Sequence, residues 1–323
     1  MRSYKTACGI EKKNKSGYAI IQSNLVELRH INFLGKKMDK RLLTIQDISC
    51  VGQCSLTVAL PIISACGIET AILPSSVLSN HTAAGFSGWT FTDLTGDMPK
   101  ILERWLTEKI DFDAFYTGYV SAAQIPHIKE IMAKAARSGA LKIVDPAMAD
   151  NGKLYAGFGE DFPAEMKKLV EGADVILPNL TEAALLLGES YHGDDYDKNY
   201  IETTAKKLHA LGAKNVILTG VSFERGKLGV ASYDGVETSY YFAEKQPISC
   251  HGTGDVYASA FAGALLRGWG LEKAAALAAD FVVESIKATM GDSDHWYGVK
   301  FEKALPYLIN RLESHSVVQK ASA

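Results

Sequence analysis

The stretch His251-Gly-Thr-Gly-Asp255, followed directly by Val256-Tyr-Ala-Ser-Ala-Phe-Ala-Gly-Ala-Leu-Leu266, is the most informative part of the chain. Its glycines let the backbone turn tightly and approach a ligand with no Cβ in the way. The alanine-rich run that follows predicts a helix. The first N–H groups of a helix have no partners within it, and with the helix dipole they favour an anion. We therefore predict an anion site at the N–H groups of Gly252, Thr253 and Gly254.

Asp255 lies beside this predicted anion site. A carboxylate placed there can accept a proton from an attacking hydroxyl, so Asp255 is a candidate general base. The same residues can also form an ordinary helix start with Thr253 or Asp255 as the N-cap, and the pentapeptide alone leaves both interpretations open. A Walker loop is excluded because no Gly-Lys-Ser or Gly-Lys-Thr follows at the required spacing.

Upstream of this loop, short apolar stretches alternate with helical ones. The predicted strands are 41–46, 69–73, 113–118, 141–145, 174–178 and 215–219. Most of them are apolar on both faces, as a buried parallel sheet requires. The predicted helices between them are 55–66, 97–109, 122–138, 164–171, 181–187 and 201–211. This order predicts an α/β fold with an open, mostly parallel sheet and helices on both faces.

The two ends of the chain differ from this pattern. Strands 228–233 and 238–243 are joined by Asp234-Gly235, which is typical of a hairpin, and alanine-rich helices 254–267 and 271–289 are predicted to complete the core. Residues 1–37 hold eight Lys and Arg and two acidic residues, without the apolar core of a secretory signal. We interpret 1–37 as an appended extension and 38–323 as one domain.

Composition excludes several classes of protein. The chain has 323 residues, of which 47% are apolar and 22% charged, so a sizeable core can form. The net charge of −3 argues against a nucleic-acid or anionic-membrane binder, and no apolar stretch approaches the roughly 18–20 residues of a membrane span. Five cysteines without paired C-x-x-C spacing support neither a disulfide scaffold nor a structural zinc site. We expect a soluble, cytoplasmic protein.

Acidic and amide side chains follow two of the predicted strands. Asp145 ends the strand 141–145, and Asp150 lies in the glycine-containing loop after it. Asn179 and Glu182 follow the strand 174–178 at a helix start, where Asn179 or Thr181 can equally be an N-cap. Together with the anion loop, these carboxylates favour phosphoryl transfer, which needs Mg²⁺-binding carboxylates, an anion site and a base.

These motifs, in this order, resemble the ribokinase-like superfamily of small-molecule kinases, which implies a three-layer α/β/α sandwich with a mostly parallel central sheet. Further segments resemble the pyridoxal (vitamin B6) kinases: Gln46, Leu78-Ser-Asn-His-Thr82, Thr117-Gly-Tyr119 and Asp145-Pro-Ala-Met-Ala-Asp150. The resemblance covers residues 41–290.

The resemblance implies a role for each matching residue. Asp255 is the base, and Gly252, Thr253 and Gly254 hold the transferred phosphate. The ATP phosphates and their Mg²⁺ lie near Asp145, Asp150, Asn179, Glu182 and Thr219, with Asp145 and Glu182 as metal ligands. The substrate pocket is formed by Asp47, Ser79, His81, Thr82 and Tyr119. Without the resemblance, the sequence favours a structural role for both Tyr119, as a core aromatic residue, and His81, as a hydrogen-bonded loop histidine.

Two positions depart from the family pattern. Asp47 stands where many members have a serine that reaches the ring nitrogen of the substrate, and Ala149 replaces a common glycine. An ionised Asp47 would favour a protonated pyridinium nitrogen, because a carboxylate accepts but cannot donate a hydrogen bond. The alternative is that Asp47 caps the helix near Ser55 or binds loop amides.

The resemblance implies ATP-dependent phosphorylation of the 5′-hydroxymethyl of pyridoxal, pyridoxine or pyridoxamine, with Mg²⁺, room for a monovalent cation such as K⁺, and a homodimer. The main rival is a hydroxymethylpyrimidine (phosphate) kinase of thiamine synthesis, which tends to carry a double glycine after the first strand and Cys in place of Asp255. Sugar or nucleoside kinases fit residues 252–255 but not 79–82. A non-catalytic B6-binding module is a further alternative, and a nicotinamide oxidoreductase is excluded because no G-x-G-x-x-G follows an early strand.

Overall fold

A computed structural model describes residues 40–82 and 85–321 of the chain. The predicted extension, residues 1–37, lies outside the described residues. None of the helices in the described part is long and apolar enough to cross a membrane.

In this part of the chain, nine strands form one sheet. They are β1 (Arg41–Ser49), β2 (Glu69–Leu78), β3 (Phe91–Asp93), β4 (Phe112–Thr117), β5 (Ala136–Val144), β8 (Val175–Ile176), β9 (Asn215–Val221), β10 (Lys227–Tyr233) and β11 (Thr238–Glu244), with the short hairpin β6 (Ala149–Asp150) and β7 (Lys153–Leu154) apart from them. Their order across the sheet is β11-β10-β9-β8-β5-β4-β1-β2-β3. The six strands from β9 to β2 are parallel, while β3, β10 and β11 pair antiparallel at the two edges.

Helices cover both faces of the sheet. They are α1 (Leu56–Ala65), α2 (Met98–Thr107), α3 (Ile125–Lys134), α4 (Phe162–Val170), α5 (Leu180–Leu187), α6 (Lys198–Ala210), α7 (Thr253–Leu266), α8 (Leu271–Thr289) and α9 (Phe301–Ala321). One core lies between the sheet and α2 to α6, and the other between the sheet and α1, α7, α8 and α9. The predicted three-layer α/β/α sandwich with a mostly parallel sheet is confirmed.

Strand β1 shows why the central strands are apolar on both faces. Leu43 and Ile45 point into the core under α2 to α6, and Leu42 points into the opposite core. All three are fully buried. A parallel strand between two helical layers has no face in water, so the usual alternation of apolar and polar residues disappears.

The predicted boundary between helix 122–138 and strand 141–145 is wrong. The helix predicted over 122–138 begins with a 3₁₀ turn, Ala122–Gln124, and ends at Lys134. Strand β5 then starts at Ala136, because Ala136 pairs with Phe112 and the Arg137 guanidinium binds Asp111 and Asp113 beside β4. Tertiary pairing thus overrides the helical propensity of this alanine-containing stretch.

The second error concerns the C-terminal end of the core. The helix predicted over 271–289 does not complete it, since α9 adds Phe301, Ala304, Leu308 and Leu312. The spacing of these apolar residues follows one helix face, so a signal for α9 was present in the sequence.

Candidate active site

The predicted anion loop leads into α7, and Gly252 is its N-cap. Gly252 has φ +77°, and a Cβ added there would lie 1.7 Å from the carbonyl oxygen of Gln53. A glycine is therefore required both by the left-handed backbone and by this close approach. No side chain of the described residues caps α7. The first N–H groups of α7 are thus left without a side-chain cap, as an anion site requires.

Asp255 lies in the first turn of α7, where a carboxylate is favoured by the helix dipole. Desolvation nonetheless raises the pKa of Asp255 to about 7. A backbone hydrogen bond from Ser55 opposes this rise, and the charge of Asp47 adds to it. A pKa near neutrality suits a general base, because the group can both take up and release a proton at physiological pH.

Asp145 and Glu182 bring two more carboxyl groups to the same edge of the sheet. Asp145 follows β5 directly and Glu182 lies in the first turn of α5, and both are buried. Burial raises the pKa of Asp145 well above its ordinary value, with further increases from the charges of Glu182 and Asp255. Burial likewise raises the pKa of Glu182 to about 8. The three carboxyl groups therefore share one electrostatic environment.

The start of α5 has the N-cap that the sequence left as an alternative. The Asn179 side chain accepts a hydrogen bond from the Glu182 N–H, and a Glu182 oxygen accepts one from the Asn179 N–H, each at 2.9 Å. The other Glu182 oxygen accepts the Met148 N–H at 3.1 Å. Thr219, predicted to contact nucleotide, pairs with Asn179 across a β-bridge. Asn179 and Glu182 are therefore part of a closed capping box.

The hairpin of β6 and β7 lies beside these carboxyl groups. Asp150 is exposed and accepts hydrogen bonds from the backbone and side chain of Asn151. The Gly152 N–H donates to the Thr181 hydroxyl at 3.0 Å, which ties the hairpin to α5. Tyr155, which the sequence analysis missed, follows the hairpin. Desolvation raises the pKa of its phenol, and the charges of Glu182, Asp145, Asp150 and Asp255 raise it further.

A cavity of about 490 Å³ contains two of the predicted substrate residues, Thr82 and Tyr119. Its lining also includes the aromatic residues Trp89, Phe91 and Phe158. The rings of Tyr119 and Phe158 are 4.9 Å apart between centroids. An aromatic lining of this kind suits a flat heterocycle, because ring systems pack favourably against one another.

His81 and Ser79 lie on one segment but in different surroundings. His81 is 4% exposed, its Nε2 donates to the Tyr297 carbonyl at 2.9 Å, and its ring centroid is 5.4 Å from that of His251. Desolvation lowers the pKa of His81. Ser79 is exposed, and its hydroxyl accepts the Thr90 N–H. The structure thus brings His81 next to the anion loop, whereas the Ser79 hydroxyl binds its own loop.

Asp47 is buried near the end of β1. Its carboxylate accepts a hydrogen bond from the Ser49 hydroxyl at 3.0 Å, and burial raises its pKa against an opposing hydrogen bond from Ser55. The charge of Asp47 in turn raises the pKa of both Asp255 and Tyr119. The side-chain partners of Asp47 are thus the hydroxyls of Ser49 and Ser55, not the helix cap or loop amides that one interpretation expected, and its charge also acts on Tyr119 beside the cavity.

The donor set suits a metal carried by a nucleotide. Among the described residues, no three His, Cys, Asp or Glu side chains come together as a metal cage. Mg²⁺ in nucleotide sites needs no such cage, because one or two carboxylates, the phosphates and water complete its coordination shell. A cation would favour the ionised form of Asp145, which burial and the charges of Glu182 and Asp255 all disfavour. Glu182, with both oxygens bound to backbone N–H groups, would reach the ion through water.

Known proteins are similar to this chain in sequence and in fold. The sequence profile of the phosphomethylpyrimidine kinase family matches residues 97–298. A Bacteroides thetaiotaomicron protein assigned as a phosphomethylpyrimidine kinase, crystallised with pyridoxal, is 36% identical, with a TM-score of 0.79 over 84% of this chain and 96% of that one. Pyridoxal kinase of Lactobacillus plantarum is 33% identical, with a TM-score of 0.77. The match covers 85% of this chain and 99% of that one.

A curated relative extends this result. Pyridoxal kinase of Dictyostelium discoideum is 28% identical over 256 residues, which cover 73% of this chain and 80% of the relative. The family profile alone matches more than half of the chain, which is enough to assign the chain to that family. The chain belongs to the phosphomethylpyrimidine kinase family, and within the ribokinase-like superfamily it groups with the pyridoxal kinases.

Proposed function

We propose that this kinase transfers the γ-phosphoryl group of ATP to the 5′-hydroxymethyl of pyridoxal, pyridoxine or pyridoxamine, a reaction of vitamin B6 salvage. One observation carries the proposal. Asp255, with a pKa of about 7, lies in the first turn of a helix whose start is left uncapped by the described side chains. A base and an anion site on the same turn are what transfer to a neutral hydroxyl needs.

The residues divide the chemistry between them. As the substrate oxygen attacks the γ-phosphorus, its proton passes to Asp255, and the bond from phosphorus to the β,γ-bridging oxygen breaks to release ADP. The N–H groups of Gly252, Thr253 and Gly254 stabilise the charge that develops on the transferred group. Asp150, Asn179 and Thr219 are assigned to the nucleotide, and among them Asn179 acts mainly by holding the start of α5.

Magnesium fits the carboxyl groups described above. Asp145 would hold the ion directly and Glu182 through water, and bound Mg²⁺ neutralises charge on the β- and γ-phosphates. The buried carboxyl groups would then be ionised more easily, because a cation opposes the effects of desolvation and mutual repulsion. A monovalent cation such as K⁺ stays a prediction.

The substrate ring is assigned to the aromatic cavity. Thr82 and Tyr119 line it, His81 lies beside His251 of the anion loop, and the charge of Asp47 acts on Tyr119. Ser79 is the weakest member of the predicted set, because its hydroxyl is exposed and accepts a backbone N–H. The neighbour crystallised with pyridoxal supports a B6 vitamer as the occupant.

The second candidate is phosphorylation of hydroxymethylpyrimidine or its phosphate. The matching family profile carries this activity in its name. Two features of the sequence favour the B6 vitamers instead: Asp255 stands where the thiamine-pathway enzymes tend to have Cys, and Asp47-Ile-Ser-Cys-Val-Gly52 lacks a double glycine. A non-catalytic B6-binding module is disfavoured by the intact base and anion site.

ADP release with each B6 vitamer and with hydroxymethylpyrimidine, measured side by side with the full chain and Mg²⁺, tests the proposal. We expect turnover with at least one vitamer at a kcat/KM well above that for hydroxymethylpyrimidine. The reverse preference supports the thiamine-pathway candidate, and binding of a vitamer without ADP release supports the non-catalytic module. The homodimer and the cytoplasmic location stay predictions, the first of which size-exclusion chromatography with light scattering tests.

A further inference from the structure

The turn between β1 and α1, residues 52–55, has an unusual backbone. Ser55 has φ +52° and ψ −131°, although it is not glycine and is only 5% exposed. A non-glycine residue in this region is strained, and such strain persists only where the surroundings hold it. From the first turn of α1, the Thr57 hydroxyl donates to the carbonyls of Gly52 and Cys54 at 3.1 and 2.8 Å.

On one side, the turn contacts the catalytic residues. The carbonyl of Gln53 lies against Gly252, the N-cap of α7. Ser55 forms a backbone hydrogen bond with Asp255. Gly52 packs on the imidazole of His81 so closely that an added Cβ would lie 2.2 Å from its Cδ2. A shift of this turn would therefore move the base, the anion site and the substrate pocket together.

On the other side, the turn is held by the segment between α8 and α9 and by the start of α9. The Gln53 side chain accepts a hydrogen bond from His295 Nε2 at 2.8 Å and donates one to Glu302 at 2.7 Å. The Tyr297 carbonyl accepts from the Gln53 N–H at 3.5 Å and from His81 Nε2 at 2.9 Å. Both ends of the Gln53 amide are thus used, which fixes its orientation.

The same segment packs on the substrate side. The ring centroids of Trp296 and Phe86 are 4.7 Å apart, and those of Phe86 and His81 are 4.9 Å apart. Gly298 is buried and approaches Gln53 so closely that an added Cβ would lie 2.6 Å from the Gln53 Cβ. Residues 292–302 thus contact the turn through Gly298 and reach His81 through the ring of Phe86.

We propose that Gln53 is a positioning residue: residues 292–302 hold its side chain and backbone, and the turn fixed in this way sets Ser55 against Asp255 and Gly52 against His81. Gln53 is not a catalytic residue, because its side chain binds His295 and Glu302 rather than reacting groups. The inference concerns the same site as the proposed function and rests on it for its kinetic readout, but not for its structural one.

The test compares four variants of the full chain: Gln53→Ala, Glu302→Ala, Glu302→Gln and, as the matched control on the same helix, Glu313→Ala, whose carboxylate binds Arg267 instead. For Gln53→Ala we expect kcat to fall about ten- to a hundredfold, the range for a misplaced reacting group, with the KM of the acceptor raised and the KM of ATP nearly unchanged. Glu302→Ala gives a smaller effect in the same direction. Glu302→Gln retains wild-type values because an acceptor oxygen remains, and so does Glu313→Ala.

Hydrogen exchange supplies a readout that needs no turnover. Backbone amides of residues 53–57 exchange faster in Gln53→Ala and Glu302→Ala, while those in the middle of α7 do not. Unchanged exchange at 53–57 in Gln53→Ala overturns the inference whatever the activity. So does faster exchange with wild-type kcat and KM, and so does a Glu302→Gln enzyme as impaired as Glu302→Ala. If the wild-type enzyme phosphorylates none of the acceptors, the proposed function fails, and the exchange result still decides whether residues 292–302 hold the turn.

Discussion

Two helices begin beside the carboxyl groups at the same edge of the sheet, and they begin in different ways. At α5, Asn179 and Glu182 close the helix start with a reciprocal pair of hydrogen bonds. At α7, Gly252 is the N-cap, and no side chain within the described residues caps the first turn. Each sequence could be read either as an anion or metal site or as a helix cap.

This difference shows how a helix start that stabilises the fold can be distinguished from one that can bind a ligand. A helix start whose N–H groups are bound by its own side chains stabilises the fold and has fewer donors left for a ligand. A glycine start keeps its donors available, but the missing cap costs stability. The carboxylates differ accordingly: Glu182 binds backbone N–H groups with both oxygens, whereas Asp255, the proposed base, has a backbone hydrogen bond from Ser55.

Replacing Asp255, the proposed base at the start of α7, gives the largest expected effect. Asp255→Asn keeps the size of the side chain but removes the proton acceptor, so we expect kcat to fall by roughly 10²- to 10⁴-fold. ATP affinity, measured by calorimetry, stays within a few-fold of the wild-type value. Near-normal turnover would show that Asp255 is only part of a helix start and that the two starts do not differ in function.

The pH profile sharpens this prediction. Asp255 accepts a proton only when ionised, and its pKa is about 7, so kcat/KM at limiting substrate falls by about tenfold per pH unit below neutrality. The residual activity of Asp255→Asn lacks this acid limb. An acid limb kept by the variant would assign the ionisation to another group.

A pair of glycine substitutions compares the two helices, with an expected effect on kcat smaller than that of Asp255→Asn. Gly252 and Gly188 both have positive φ, +77° and +69°, but a Cβ at Gly188 meets no described atom within 4 Å. Gly188→Ala at the end of α5 costs about 1–2 kcal/mol of backbone strain with kcat unchanged. Gly252→Ala also forces Gln53 away, so kcat falls by about ten- to a hundredfold. Urea unfolding and steady-state kinetics measure both, and equal kcat values would contradict the special role of the start of α7.

Removing the N-cap of α5 gives the smallest expected effect on activity. Asn179→Ala removes the cap of α5 and is expected to lower the free energy of unfolding by about 0.5–2 kcal/mol, with kcat changed only a few-fold. Asn179→Ser is the control, because its hydroxyl can still accept from the Glu182 N–H. A large loss of kcat or of ATP affinity at unchanged stability would instead make Asn179 a direct phosphate ligand, the role implied by the family resemblance.

The sequence was informative wherever structure follows from local pattern. Buried parallel strands, the glycine-rich loop and the acidic residues after β5 and β8 all have local signatures. The start of β5 does not, because Ala136 becomes a strand residue only through pairing with Phe112 and the ion pairs of Arg137. Helix α9 has a local signature, because Phe301, Ala304, Leu308 and Leu312 recur on one helix face, although the predicted core ended at residue 289.

The contacts behind the site were beyond sequence reasoning for a different reason. Gln53, His295 and Glu302 lie in an irregular turn, a connecting segment and a first helical turn. Hydrogen bonds between such parts follow no period, so a single sequence carries no sign of them. The same holds for the strained backbone of Ser55, since serine has no preference for positive φ.

The reach of these bonds has a consequence for the order in which the protein matures. The bonds from His295 and Glu302 to Gln53 span 242 and 249 residues, and the one between Tyr297 and His81 spans 216. During synthesis, all nine strands of the sheet, the last of which ends at Glu244, are made before His295, Tyr297 and Glu302. Contacts this distant in sequence close late, after their loop entropy has been offset by other structure. We therefore expect a nascent chain to complete its sheet before its catalytic turn becomes fixed, so that activity appears later than the fold.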